Sequence, residues 1–237
     1  MPDFGQRAIA AIPDRLPPAA DATDGWDLSE ARVYSFTFEV GKAQALPFLP
    51  QPLIRPVPAY AKILVVDGLR ASGEHYREAM LLLGTREGVQ IRNVLVDSLV
   101  HGGVALGAAR ALFGGSRRAG TVDLQVSDGE VGIAIADAAG QLCAIRMGAL
   151  RECDATMLKY DALLVAGESD GAPALLRWGI RVPLTEVEGT LSRDWEVKML
   201  RPGTDWHHLR PAYNVTAFFS HGPARIEAAH APQPAKT

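Results

Sequence analysis

Residues 31–40, ARVYSFTFEV, set Tyr34, Phe36, Phe38 and Val40 against Val33, Ser35, Thr37 and Glu39. A period of two sends alternate side chains to opposite faces of a strand, so this stretch is expected to be β. Similar segments recur: AYAKILVVD at 59–67, HYREAMLLLGT at 75–85 and GVQIRNVLV at 88–96, each bounded by Gly, Asp or Ser. Short strands between such turns form an antiparallel meander. Between the first strand and this meander lies ALPFLPQPLIRPVP. Its prolines at 47, 50, 52, 56 and 58 forbid a continuous helix or central strand.

One stretch breaks the β rhythm. Asp97 or Ser98 can cap a helix running through LVHGGVALGAARALF to about Phe113. Its small residues, Gly102, Gly103, Ala105, Gly107, Ala108 and Ala109, suggest close packing on a sheet. Gly114 and Gly115 supply a left-handed exit. Strands then resume in AGTVDLQVS, EVGIAIADA and QLCAIRMG, with hairpin turns at Asp128-Gly129 and Ala139-Gly140. ALLRWGIRVPLTEVEGTLSRDWEVKML and AYNVTAFFSHGPARIEA read as further strands. The expected class is α+β, dominated by antiparallel sheet.

Residues 1–25 read as an irregular lead-in, residues 26–227 as a single domain and residues 228–237 as a disordered tail. The net charge of −3 comes with scattered basic residues, which argues against nucleic acid as a partner. No apolar run is long enough to span a bilayer, and the first residues do not read as a secretory signal. Two cysteines, Cys143 and Cys153, make no disulfide framework, so a cytoplasmic location is expected with both thiols as small buried groups. His207 and His208, read as strand neighbours, would point to opposite faces and make a poor joint metal site. There is no zinc-spaced cysteine pair, phosphate loop or nucleophile elbow, so neither a metal nor a nucleotide cofactor is expected.

The order of these segments resembles the acetoacetate decarboxylase superfamily over about residues 30–225. LPFLPQPL is similar to the family's proline-rich entry after its first strand. Tyr76-Arg77-Glu78 looks like its Tyr-x-Glu element. LFGGSRRAG, after the helix ending at Arg110, occupies the place of the segment carrying the family's adjacent lysines. The resemblance implies a β-barrel or cone with a few flanking helices, a homo-oligomer and a keto-acid substrate. It also implies that the first lysine of the pair forms a Schiff base. Here Ser116 falls at the family's proline, and Arg117 and Arg118 fall at the lysines. A guanidinium stays protonated and is a poor nucleophile, so decarboxylation by that route is not expected.

Other positions carry over unevenly. Glu78 matches the cavity glutamate, and Arg32 matches the arginine thought to meet the substrate carboxylate. A second family glutamate is replaced by Lys62. Each residue has two readings. Arg117 and Arg118 could hold a carboxylate or enolate, or Arg117 could make a structural ion pair while Arg118 faces solvent. Glu78 could move a proton or simply pair with a cation. Tyr76 could donate a hydrogen bond to substrate or be a structural tyrosine. Lys62 could be a relocated imine lysine, its pKa lowered by burial and neighbouring cations, or could pair with Glu78 or reach the rim.

Three functions follow. The first is a lyase, dehydratase or cyclase working on a keto acid or polyketide-derived substrate without an imine, in secondary metabolism or antibiotic biosynthesis. The second is a non-catalytic ligand-binding relative. The third is a decarboxylase or aldolase using Lys62.

Overall fold

The computed structural model describes residues 3–12, 25–51, 53–113, 117–127, 129–154, 163–169, 172–182 and 187–229. The alternating segments become long strands: β1 (Trp26–Glu39), β2 (Tyr60–Arg70), β3 (His75–Glu87), β4 (Gln90–His101) and β5 (Arg117–Ser127). Next come β6 (Glu130–Asp137), β7 (Gly140–Gly148), β8 (Arg151–Cys153), β9 (Leu163–Ser169) and β10 (Ala172–Trp178). Last are β11 (Ile180–Arg181), β12 (Glu188–Ser192), β13 (Asp194–Met199) and β14 (Tyr213–Ile226). The helices are short: α1 (Lys42–Ala45), α2 (Gly103–Phe113) and α3 (Asp205–His208). No described helix is long and apolar enough to cross a membrane.

The main path of the sheet runs β13-β7-β6-β5-β4-β3-β2-β1-β14-β12-β8, with β9 paired to β4 and β10, and β11 to β14. All described pairings between named strands are antiparallel except β4 with β5 and β4 with β9. The first parallel contact follows from α2, which carries the chain from the end of β4 back to Ser98, so that β5 runs beside the last four residues of β4. The sheet curls until its ends approach. Arg193 alone separates β12 from β13, and the Asn214 amide Nδ2 donates to the Trp195 carbonyl at 3.0 Å.

Two apolar clusters lie on the two faces. The inner one draws Tyr34, Phe36, Ile63, Val65, Leu81 and Leu99 together with Val122, Ile133, Ile145, Val197 and Trp206. It takes residues from strands all round the curl, so the curl encloses it. The outer cluster holds Val33, Leu64, Val66, Tyr76, Met80, Leu82 and Val100 beneath α2, β9 and β10. Alternation along β1–β4 supplies both faces, which explains why these strands are apolar on both sides.

The chain departs from expectation in several places. Asp97–His101 stay in β4, and the helix begins only at Gly103, after Gly102 at φ +86° ends the strand. Ala105, Ala109, Leu112 and Phe113 form the buried stripe of α2, spaced as a helix face requires. Gly103 and Gly107 face open space, so they do not mediate close packing as the sequence suggested. His207 and His208 lie in α3, capped by Thr204, rather than in a strand. Residues 3–12 are tied down: Gly5 N–H donates to the Leu53 carbonyl, and the Asp3 carboxylate pairs with Lys42 and Arg55. Cys143 is buried, as expected, and Cys153 is only partly so. Gly114, Gly115, Ser116, Asp128 and the tail from residue 230 lie outside the described residues.

Candidate functional site

A bulge in β4 decides which polar groups meet. Pairing with β3 runs Leu95 opposite Leu82, then jumps to Asp97 opposite Leu81, leaving Val96 as the extra residue. Strict alternation would put Leu95 and Asp97 on one face. The inserted residue instead turns Asp97 inward and Ser98 outward, as bulges re-aim side chains.

On the outer face, Glu78 of β3 lies opposite Val66 and Val100 and is fully buried. Its Oε1 accepts from Arg117 Nε at 2.9 Å and from the Ser98 hydroxyl, and its Oε2 accepts from the Tyr76 hydroxyl. Both side chains of the Glu78–Arg117 pair have 0% exposure. Parallel pairing of Arg117 with Ser98 aims the guanidinium at this carboxylate. Arg110 Nε of α2 holds the Arg117 carbonyl at 2.7 Å and fixes the start of β5.

Aromatic rings close the site. The Arg117 guanidinium carbon lies 5.1 Å from the Phe113 ring centroid and 4.8 Å from that of Trp178, within cation–π range. Trp26 packs edge-on against Tyr76 at 5.2 Å and against Phe113 at 4.9 Å. Burial first, and then the Glu78 charge, hold the Tyr76 phenol well above its usual range, so Tyr76 stays a donor.

On the inner face, Arg118 makes a two-pronged contact with Asp97 (3.0 and 2.8 Å) and reaches Asp137 at 2.5 Å. Arg201 shares Asp137, and Trp206 Nε1 donates to Asp97 at 2.6 Å. Hydrogen bonds from Arg201 and Arg118 hold the Asp137 carboxyl far below the carboxylate range, and Asp97 raises the Arg118 guanidinium further. Arg7, Thr204 and Asp205 complete the wall of a cleft of about 330 Å³ beside this network.

The structure thus brings Glu78, Tyr76 and Arg117 together and sends Arg118 to the other face. Lys62 is buried at 7% exposure and lies on the same face as Leu64 and Val66. It pairs with Thr37 and Leu82, four residues along β2 from the Val66 that faces Glu78, a separation of roughly 13 Å. Arg32 is exposed, opposite Asp67 and His221. Asp67 is itself held by Arg77 at 2.8 Å and His75 at 3.0 Å. Among the described residues no group of three His, Cys, Asp or Glu side chains could hold a metal.

Sequence reasoning missed Ser98, Phe113, Trp178, Asp137 and Arg201. A bulge leaves no pattern that could have turned Ser98 toward Glu78. Trp178 did carry a signal: it is a lone tryptophan in a short strand, but nothing local tied it to Arg117.

A curled, mainly antiparallel sheet with short flanking helices matches the acetoacetate decarboxylase-like fold. An acetoacetate decarboxylase structure matches with a TM-score of 0.74 at 12% identity, covering 90% of this chain and 91% of that one. Acetoacetate decarboxylase from Legionella pneumophila matches at 0.70 and 12% identity over 100% of both chains. The enduracididine biosynthesis enzyme MppR, complexed with pyruvate, matches at 0.67 and 14% identity over 91% and 90%. No family model and no curated protein matches the sequence.

Proposed function

We propose that the chain is an enzyme acting on a keto acid or polyketide-derived substrate, as a lyase, dehydratase or cyclase, without a Schiff base. One observation carries this reading: a guanidinium and a carboxylate, both at 0% exposure, meet at 2.9 Å among aromatic rings. Desolvating two charges is expensive, and replacing such a pair with apolar residues is often neutral or stabilising. Ionic groups kept in so dry a place are functional candidates. The fold supports the substrate class, because one neighbour is an acetoacetate decarboxylase and another is complexed with pyruvate.

The roles follow from the contacts. Arg117 supplies fixed positive charge in low-dielectric surroundings, suited to a carboxylate or a developing enolate. Glu78 already accepts from three donors, so it orients Arg117 better than it could serve as a free base. Tyr76 is the protonated donor beside it. Lys62 stands behind these residues as a nucleophile, because its register places it away from Glu78.

Borohydride trapping with pyruvate, acetoacetate and 1,3-diketones tests the reading, with parallel calorimetry and product analysis. The expected result is binding and conversion of a keto acid with no lysine adduct. A substrate-dependent adduct on Lys62 overturns the imine-free mechanism. Binding with no conversion across the panel favours a ligand-binding relative instead.

A further inference from the structure

Trp178 is 1% exposed, yet its indole Nε1–H has no hydrogen-bond partner among the described residues. A buried donor left unmade is costly, and most such groups in folded proteins are satisfied. A nearby surface position could not explain it, since water does not reach the side chain. The ring belongs to the outer cluster, with its centroid 4.8 Å from the Arg117 guanidinium carbon and 5.5 Å from the Phe113 ring. Trp206 offers a contrast within the same chain: it is equally buried, but its Nε1 donates to Asp97.

Resting on the function proposed above, we infer that the Trp178 indole N–H is a substrate-binding donor that donates to one carboxylate oxygen of a keto acid lying beside Arg117. An indole nitrogen donates and never accepts, so the group that satisfies it must be an acceptor. A carboxylate is the acceptor that also suits the adjacent fixed cation, and hydrogen bonds to charged groups are the stronger ones. The arrangement makes Trp178 selective for acids over neutral ketones. An acetone-like ligand could still lie against Phe113 and Trp178, but it would offer the indole N–H only a neutral carbonyl, a weaker acceptor than a carboxylate.

The test follows the indole ¹H–¹⁵N resonance of Trp178 in the wild-type protein titrated with pyruvate, acetoacetate and acetone. Calorimetry runs alongside to establish occupancy. Trp178→Phe assigns the peak and measures the contribution to affinity. Should that variant not fold, elimination with Trp26→Phe, Trp195→Phe and Trp206→Phe assigns it instead. The expected result is a downfield shift with a keto acid, none with acetone, and keto-acid affinity roughly tenfold weaker in Trp178→Phe. An unmoved Trp178 resonance at saturation with a keto acid overturns this inference alone. Failure of the wild type to bind any keto acid overturns the proposed function and this inference with it.

Discussion

Arg117 and Arg118 are consecutive residues of β5 that serve opposite faces of the sheet. Arg117 reaches outward to Glu78 and Arg118 inward to Asp97, and each contact is fixed by the bulge at Val96. The outward contact is closed to solvent, whereas the Arg118 side chain is 38% exposed at the edge of a cleft. A shift of one residue in β5 would exchange these partners.

Removing one member of the outward pair strands a buried charge. Glu78→Gln and Arg117→Leu are each expected to lower stability by about 3 kcal/mol or more. The double variant loses less than the sum, because neither charge is then left alone. Urea unfolding of the four proteins measures this, and strictly additive losses would mean the two groups do not interact.

Arg117→Lys replaces a permanently charged group with one that can lose its proton. Burial favours the neutral amine and Glu78 opposes it. Borohydride trapping with acetoacetate is therefore expected to give an adduct on residue 117 whose yield climbs with pH. A yield independent of pH, or no adduct at any pH, would show that the site does not support a lysine nucleophile.

Asp137 and Asp3 both contribute to the acid limb of stability. Arg201 and Arg118 hold Asp137 far below the usual carboxylate range, and Lys42 and Arg55 hold Asp3 at about 2. Carboxyls depressed in the folded state contribute stability in full above their unfolded value near 4, and lose it as pH falls toward the folded value. The melting temperature should hold down to about pH 5 and then fall. Asp137→Asn should flatten that fall. Asp205 works in the opposite sense, since burial raises its carboxyl.

Tyr34 is buried, stacked on Phe219 at 4.7 Å, and its hydroxyl has no hydrogen-bond partner among the described residues. Burial pushes its phenol up to about 12. Tyr34→Phe should leave stability unchanged or raise it by up to about 1 kcal/mol, because an unmade hydrogen bond is removed without a cavity. A loss beyond 1 kcal/mol in urea unfolding would reveal a partner for the hydroxyl.

The thiols should differ in reactivity. Cys143 is at 0% exposure, with burial raising its thiol far above the usual value, while Cys153 is partly exposed at an edge strand. Burial and then the neighbouring Asp154 raise the Cys153 thiol as well, so a disulfide exchange reagent at pH 8 is expected to titrate Cys153 more slowly than a free thiol, and Cys143 only on unfolding. Two equally fast thiols would contradict the packing around Cys143.

The fold was legible because strands such as 31–40 and 59–67 carry their period in short stretches, and order alone then pointed to the architecture. Glu78, Tyr76 and Arg117 were also named from the sequence, through local motifs. Two kinds of information were not local. The bulge at Val96 has no signature in HYREAMLLLGT or GVQIRNVLV, so nothing local fixes the facing of Asp97 and Ser98, and Asp97 reads equally well as a helix cap. Trp178 meets Arg117 only through the pairing of β10 with β9 and of β9 with β4, contacts that join distant parts of the chain. The helix start was misplaced for a simpler reason: apolar residues at 99 and 100 suit a buried strand as well as a helix.

The first long strand, β1, finds one of its two neighbours in β14, from Trp26 opposite Ile226 to Glu39 opposite Tyr213. During synthesis that edge of β1 stays open until residues 213–226 leave the ribosome. Until then it offers a row of unsatisfied amides and carbonyls beside Phe36 and Phe38, the kind of edge that recruits other chains. A ribosome stalled before residue 213 would therefore release a sticky, half-closed sheet, and quality control of this protein would hinge on its final strand.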